Sequence, residues 1–156
     1  MFVNGFLAIA ILAGLALVSH EPLLFPSVGP TAFLLSYRPR APAASPRNTL
    51  CGHAIGIACG YAALRLTGLE HAPSAVLEDI NGPRVLAAAL SLAATGGLMA
   101  AFRVVHPPAG ATTLIISLGI ITQPDHLAII EVSAALLVLQ ALAVHRLTGI
   151  DYPLWS

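Results

Sequence analysis

The sequence predicts an all-α membrane protein with four transmembrane helices and two re-entrant half-helices, built as two tandem repeats offset by 81 residues. Hydrophobic residues make up 57% of the 156 residues and charged residues only 9%, against about 25% charged residues in an ordinary soluble domain. A Pro-x-x-Gly-x-Thr motif begins at Pro26 and again at Pro107. The same offset relates the Arg-Leu-Thr-Gly segments at 65–68 and 146–149. Two matches at one offset indicate an internal duplication.

Four apolar stretches approach the roughly 20 residues that a helix needs to cross a bilayer. Ser45 and Pro46 supply an N-cap and a first-turn proline for the second stretch, and Pro107 and Pro108 end the third. The predicted spans are residues 2–19, 47–66, 83–105 and 125–147. We therefore expect a single transmembrane domain over residues 1–156, with repeat 1 at about 2–68 and repeat 2 at about 83–149.

A short apolar run follows each copy of the motif. Residues 31–37 and 111–121 are too short to cross a bilayer, so each is interpreted as a re-entrant half-helix between two spanning helices. An even number of crossings in each repeat makes the two repeats parallel, related by an axis along the membrane normal.

Arginine supplies all seven basic residues of the chain. With the abundant alanine, this suggests a GC-rich bacterial source. Arg38, Arg40 and Arg47 flank the first loop, which the positive-inside rule places in the cytoplasm. The N-terminal apolar stretch lacks a basic leader and a cleavage site, and is interpreted as a retained helix. We expect a multi-pass protein of the bacterial cytoplasmic (inner) membrane.

The repeated motif has the residues of an anion site. Gly29 and Gly110 let the backbone approach a ligand, and Thr31, Thr112 and Thr113 add hydroxyl groups. Free N–H groups and the positive ends of two half-helix dipoles would converge on one spot. The alternative is that proline and glycine only break the helices for packing.

Two histidines are the ionisable candidates within this region. His106, which occupies the position of Phe25 in the other repeat, could couple anion movement to protons or could simply cap the third helix. His53 lies inside the second span, where an ionisable group is a functional candidate, although it could also reach the interface. The glycines at 52, 56 and 60 are expected to form a close helix-packing face.

Other function classes have little support in the sequence. The histidines do not form a metal-ligand pair at i, i+4, and no Ser/His/Asp order or phosphate loop stands out. We therefore expect no enzyme activity, no metal and no cofactor; a membrane enzyme that uses His106 is the third and least supported alternative. The net charge of zero implies no nucleic-acid partner.

The segments FPSVGPTAFLLSYRPRAPAASPRN at 25–48, Gly52-His53 and VVHPPAGATTLI at 104–115 resemble the HPP family of integral membrane proteins. That family is named for a His-Pro-Pro motif. The resemblance implies a four-helix membrane protein and transport, with nitrite as the leading substrate because some plastid and cyanobacterial members are associated with it. The matching motif residues are Pro26, Ser27, Gly29, Pro30 and Thr31, then Arg47, Asn48, Gly52 and His53, then residues 106–113.

Together these observations predict a transporter or channel for a small monovalent anion, with nitrite as the leading substrate. The anion site is expected between the two half-helix N-termini. The expected substrate-binding residues are Ser27, Gly29, Thr31, Asn48, His53, His106, Gly110, Thr112 and Thr113, with Arg47 attracting anions at the mouth. The expected partners are the lipid bilayer and further copies of the chain, with a dimer favoured. The alternative is a membrane interaction or sensor module without transport activity.

Overall fold

A computed structural model describes residues 2–155, and within that range it contains helices and no strand. The helices are α1 (Phe2–Ser19), α2 (Val28–Tyr37), a 3₁₀ turn (Pro42–Ala44), α3 (Pro46–Leu66), α4 (Gly82–Ala101), α5 (Ala109–Ser117) and α6 (Pro124–Leu147). By length and composition, α1, α3, α4 and α6 could each cross a membrane, which confirms the four predicted spans. The short helices α2 and α5 have 10 and 9 residues and occupy the places predicted for half-helices.

The helix ends differ from the predicted ones for local reasons. The third span stops at Ala101 rather than at 105, because Arg103 adopts a left-handed conformation with φ 53°. The N–H of Val104 then donates to the carbonyl of Met99, which closes a Schellman-type end. The helix α2 begins three residues earlier than predicted, at Val28, because Pro30 falls in the first turn, where its missing N–H has no intrahelical partner to lose.

The six helices pack as two bundles of three. One bundle, called here the first bundle, contains α1, α2 and α6, and the second bundle contains α3, α4 and α5. The last helix of each half of the sequence therefore packs with the short helix of the other half. The two bundles meet mainly where α3 contacts α6, and the 3₁₀ turn touches both α2 and α3.

A glycine face on α3 brings the second bundle together. A Cβ atom built on Gly56 would lie 2.8 Å from the carbonyl oxygen of Ala109, and one built on Gly60 would lie 2.8 Å from that of Thr113. Only a residue without a side chain lets α3 approach the backbone of α5 this closely. The close-packing face predicted for these glycines is confirmed.

Candidate functional site

Two threonines and two histidines form a continuous chain of hydrogen bonds where the bundles meet. The Thr31 Oγ1 atom lies 2.8 Å from His53 Nε2 and 3.1 Å from His106 Nε2. Thr112 Oγ1 lies 2.8 Å from His53 Nδ1. All four side chains have 0% exposure. We call Thr31, His53, His106 and Thr112 the histidine–threonine cluster.

The cluster joins both motif copies and both bundles. Thr31 is the fourth residue of α2 and Thr112 the fourth residue of α5, and each is the threonine of its Pro-x-x-Gly-x-Thr motif. Thr31 belongs to the first bundle, whereas His53 and Thr112 belong to the second. The bonds of the Thr31 hydroxyl therefore cross the boundary between the bundles.

The pattern of bonds fixes the hydrogens of the neutral cluster. The Nδ1 atom of His106 lies 2.8 Å from the carbonyl oxygen of Ala43, which can only accept, so Nδ1 carries the hydrogen. The Nε2 atom of His106 is then an acceptor for the Thr31 hydroxyl. Thr31 in turn accepts from Nε2–H of His53, and Nδ1 of His53 accepts from the Thr112 hydroxyl. The four hydrogen bonds therefore run in one direction, from Thr112 through His53, Thr31 and His106 to the Ala43 carbonyl, and each uses one hydrogen.

His106 lies in the connection between α4 and α5, outside the four long helices. Its burial lowers the pKa of the imidazole to about 4, although the hydrogen bond to the Ala43 carbonyl acts in the opposite direction. His106 is therefore neutral at pH 7, as the directed hydrogen bonds require.

Gly52 sets the position of His106. A Cβ atom at residue 52 would lie 2.6 Å from the Cβ of His106 and 3.2 Å from its Cγ. The imidazole therefore packs directly on the α3 backbone, one residue before His53. The two histidine rings have centroids 5.0 Å apart.

Within residues 2–155, three buried hydroxyls on the elements that carry the cluster have no hydrogen-bond partner. They belong to Ser27, Thr49 and Thr113, each with 0% exposure. Ser27 lies four residues before Thr31, and Thr49 lies four residues before His53, so each shares a helix face with a cluster residue. Thr113 adjoins Thr112. Ser27 and Thr113 are among the predicted site residues, whereas Thr49 is not, although its i, i+4 spacing from His53 was the available signal.

Other predicted site residues have structural partners. Asn48 donates from Nδ2 to the carbonyl of Pro42 at 2.9 Å and thereby holds the 3₁₀ turn against α3. The guanidinium of Arg47 donates to the carbonyls of Phe102 and Arg103 at the end of α4. The Asn48 contact holds the 3₁₀ turn, and the Arg47 contacts join α3 to the end of α4 within the second bundle.

The backbone at the start of the short helices is also engaged. A Cβ atom at Gly29 would meet nothing within 4 Å, and one at Gly110 would meet only Leu92 Cδ1, at 3.5 Å. The expectation of free first-turn N–H groups is wrong. The N–H groups of Val28 and Gly29 donate to turn carbonyls that precede α2, and those of residues 109–111 do the same before α5.

A buried arginine at the far end of α5 was not anticipated. Arg84 is 3% exposed and donates to the carbonyls of Ser117 at 3.2 Å and Pro73 at 2.7 Å. It lies against Gly119, whose φ is +76°. Among residues 2–155, no carboxylate forms an ion pair with it. Its charge faces the C-terminal carbonyls of α5, where a helix dipole favours a cation.

The four long apolar helices and the His106-Pro-Pro motif agree with a comparison of sequences. The family described as "HPP, transmembrane region" matches residues 1–153. The chain belongs to the HPP family. It is thus a multi-pass membrane protein. No curated protein matches this HPP-family chain, and no solved structure matches it.

Proposed function

We propose that this HPP-family protein transports a small monovalent anion across the membrane and binds it at the histidine–threonine cluster. One observation carries the proposal: a polar group of two histidines and two threonines, with 0% exposure, lies where two helical bundles of an apolar protein meet. Polar and ionisable residues inside membrane proteins are costly and commonly serve a pathway. Nitrite is the first candidate substrate because of the family resemblance.

The unpaired hydroxyls of Ser27, Thr49 and Thr113 support the anion as the ligand. A buried hydroxyl without a partner costs about 1–3 kcal/mol, and this cost would be recovered when an anion accepts its hydrogen. Because these groups are neutral donors, they would bind a small anion more weakly than a buried arginine would. The ligand could therefore leave again.

The proposed pathway follows the internal symmetry. Shifted by 81 residues, the bounds of α1, α2 and α3 fall within three residues of those of α4, α5 and α6, which supports two tandem repeats. We propose that α2 and α5 are re-entrant half-helices and that the cluster lies near the bilayer centre. Movement of the first bundle against the second would open the Thr31 bonds and expose the site. Arg47 would attract anions toward this region. A homodimer in a bacterial inner membrane is the proposed setting.

A second candidate is an interaction or sensor module. Its support is that the cluster hydroxyls are paired with histidines and that first-turn N–H groups are already bonded, which suits a rigid joint between bundles. In that case the cluster would hold the fold together and bind no anion.

Replacing an unpaired hydroxyl distinguishes the two candidates. Thr49→Val and Thr113→Val keep the side-chain shape but remove a hydroxyl that has no protein partner, so each variant should be at least as stable as wild type. For a transporter, both should reduce nitrite uptake into proteoliposomes by about tenfold, roughly the 1.4 kcal/mol of one hydrogen bond. The matched control is Thr148→Val at an exposed helix end.

Nitrite should also raise the melting temperature of the wild-type protein in detergent. If wild type moves neither nitrite nor formate, nitrate or chloride, and none of these raises its melting temperature, the transport proposal fails. Wild-type uptake in both valine variants would place the anion elsewhere in the molecule.

A further inference from the structure

We infer that the histidine–threonine cluster takes up one proton together with each anion, so that transport is electrically neutral. The inference rests on the proposed function and adds the coupling ion to it. It is carried by the hydrogen-bond geometry, in which every hydrogen of the neutral cluster is already committed.

The count of hydrogens shows what a proton must do. The four bonds of the neutral cluster use one hydrogen from each histidine and one from each threonine. A proton added to His53 at Nδ1 turns that atom into a donor toward Thr112 Oγ1, and the Thr112 hydroxyl must release its own hydrogen from this bond. A proton added to His106 at Nε2 likewise frees the hydroxyl hydrogen of Thr31 or, through His53, that of Thr112.

The freed hydroxyl and the new charge both favour an anion. The proton binds a ring nitrogen lone pair, no covalent bond to carbon or oxygen changes, and the released O–H can donate to an anion oxygen. The imidazolium charge and the anion charge cancel within the site. Without an anion the imidazolium would be buried with no counter-charge, and without the proton no cluster hydroxyl would be free. Each ligand thus raises the affinity for the other.

The spacing of the rings limits the uptake to one proton. With the ring centroids of His53 and His106 only 5.0 Å apart, a second proton would place two positive charges side by side in a buried site. The pair therefore holds one charge and matches one monovalent anion.

The elements packed against the pair carry few other titratable side chains, and Arg47 and Arg84 among them donate to backbone carbonyls. The 3₁₀ turn and α5 have no titratable side chain, and α2 has only Tyr37, at its last position. Arg84, the titratable residue of α4, binds the end of α5, and Arg47 on α3 itself binds the end of α4. Helix α6 carries Asp125, His126, Glu131, His145 and Arg146. Of these, Glu131 lines a cavity with Ala54 and Ala58 of α3, and His145 bonds to the Leu35 carbonyl.

The test uses the full chain in proteoliposomes with a pH indicator inside. Nitrite uptake is measured at one external pH, with and without a more alkaline interior, and liposomes without protein correct for nitrous acid that crosses the bilayer unaided. In wild type, the gradient should raise uptake several-fold, one proton should enter per nitrite, and an imposed potassium diffusion potential should leave the rate unchanged.

The variant that removes titration is the double substitution His53→Gln and His106→Gln. Glutamine can donate and accept hydrogen bonds as the neutral imidazole does, but it binds no proton. The ratio of uptake with and without the gradient should fall to about one, because neither substituted side chain can take up a proton. His71→Gln, which alters a histidine whose side chain is 93% exposed, should keep the wild-type ratio.

The outcomes separate the inference from the proposed function. If wild type moves no small anion, the transport function itself fails. If wild type carries nitrite but a positive interior drives it and the pH gradient does not, transport stands and proton coupling is overturned. Proton coupling is also overturned if the double variant keeps the wild-type ratio of uptake with and without the pH gradient. If the double variant is inactive, proton uptake on nitrite binding to wild type in detergent decides: one proton per anion upholds the coupling, and none overturns it.

Discussion

His53 binds Thr31 through one ring nitrogen and Thr112 through the other, at 2.8 Å in each case. One imidazole thus connects the same position in both copies of the Pro-x-x-Gly-x-Thr motif. It also connects the two bundles, because Thr31 lies on α2 and His53 on α3. A change at either threonine should therefore affect the fold and the proposed transport together.

Thr112→Val should leave Nδ1 of His53 buried without a donor. The expected loss is about 1–3 kcal/mol of unfolding free energy, because valine keeps the volume but cannot donate. Nitrite uptake should fall at least tenfold, since the hydroxyl freed on protonation is gone. Thermal unfolding in detergent and proteoliposome flux measure the two effects. Thr148→Val, whose hydroxyl bonds only within its own helix, is the control. Wild-type flux in a folded Thr112→Val protein would contradict the assigned site.

Gly52→Ala should be among the most damaging single-methyl changes in the chain. Its new Cβ would lie 2.6 Å from the His106 Cβ, so either the histidine or α3 must move. Overpacking of this kind costs about 1–3 kcal/mol, and the displaced imidazole would lose its bond to Thr31. Gly97→Ala on α4 is the matched control, because a Cβ there meets nothing within 4 Å. It should be neutral or stabilising by up to about 1 kcal/mol through helix propensity. Equal melting temperatures for the two variants would rule out the close contact.

The spanning helices were predictable because their signals are local. Apolar length sets each span, and a residue such as Ser45 caps its own helix by accepting from the N–H of Asn48 at 3.3 Å. Where a boundary was missed, a conformation that composition does not reveal decided it, as at Arg103 with its positive φ. The tertiary arrangement was not predictable, because no local sequence pattern indicates that α3 packs with α4 and α5.

The candidate site was predictable in its residues and not in its bonding. The repeated motif selected Thr31 and Thr112, and chemistry selected His53 and His106. The motif suggested threonines facing an anion, whereas the fold places histidine nitrogens against their hydroxyls. The buried position of Arg84 was not predicted, because its partners are the backbone carbonyls of Ser117 and Pro73, and such contacts leave no pattern in a sequence.

Arg84→Gln should destabilise the protein by about 3–6 kcal/mol, because the Ser117 and Pro73 carbonyls each lose a hydrogen bond from a charged donor, worth about 1.5–3 kcal/mol. Arg84→Lys should restore only part of this, since one ammonium cannot reach both the Ser117 and the Pro73 carbonyls as a planar guanidinium does. The control is Arg65→Gln, which removes an exposed ion pair with Glu70 and should cost under about 1 kcal/mol. Melting temperatures in one detergent provide the comparison. Equal losses at the two arginines would show that the buried contacts contribute no more than the exposed pair.

Stability should fall on acidification through His106. The pKa of His106 is about 4 in the folded protein, against an ordinary value of 6.5 that serves for the unfolded chain. Between pH 4 and pH 6.5, the His106 imidazole binds a proton in the unfolded chain but not in the folded protein. The contribution of His106 to the unfolding free energy is therefore complete above pH 6.5 and is lost as the pH falls toward 4. At pH 5 the loss should be about 2 kcal/mol, from 1.36 kcal/mol per pKa unit. Melting temperatures of wild type, His106→Gln and His71→Gln are compared between pH 7.5 and pH 5. The melting temperature of His71→Gln should fall between these two pH values as much as that of wild type. The melting temperature of His106→Gln should fall less, whatever its value at pH 7.5. An equal drop in all three proteins would show that His106 is not a buried neutral imidazole.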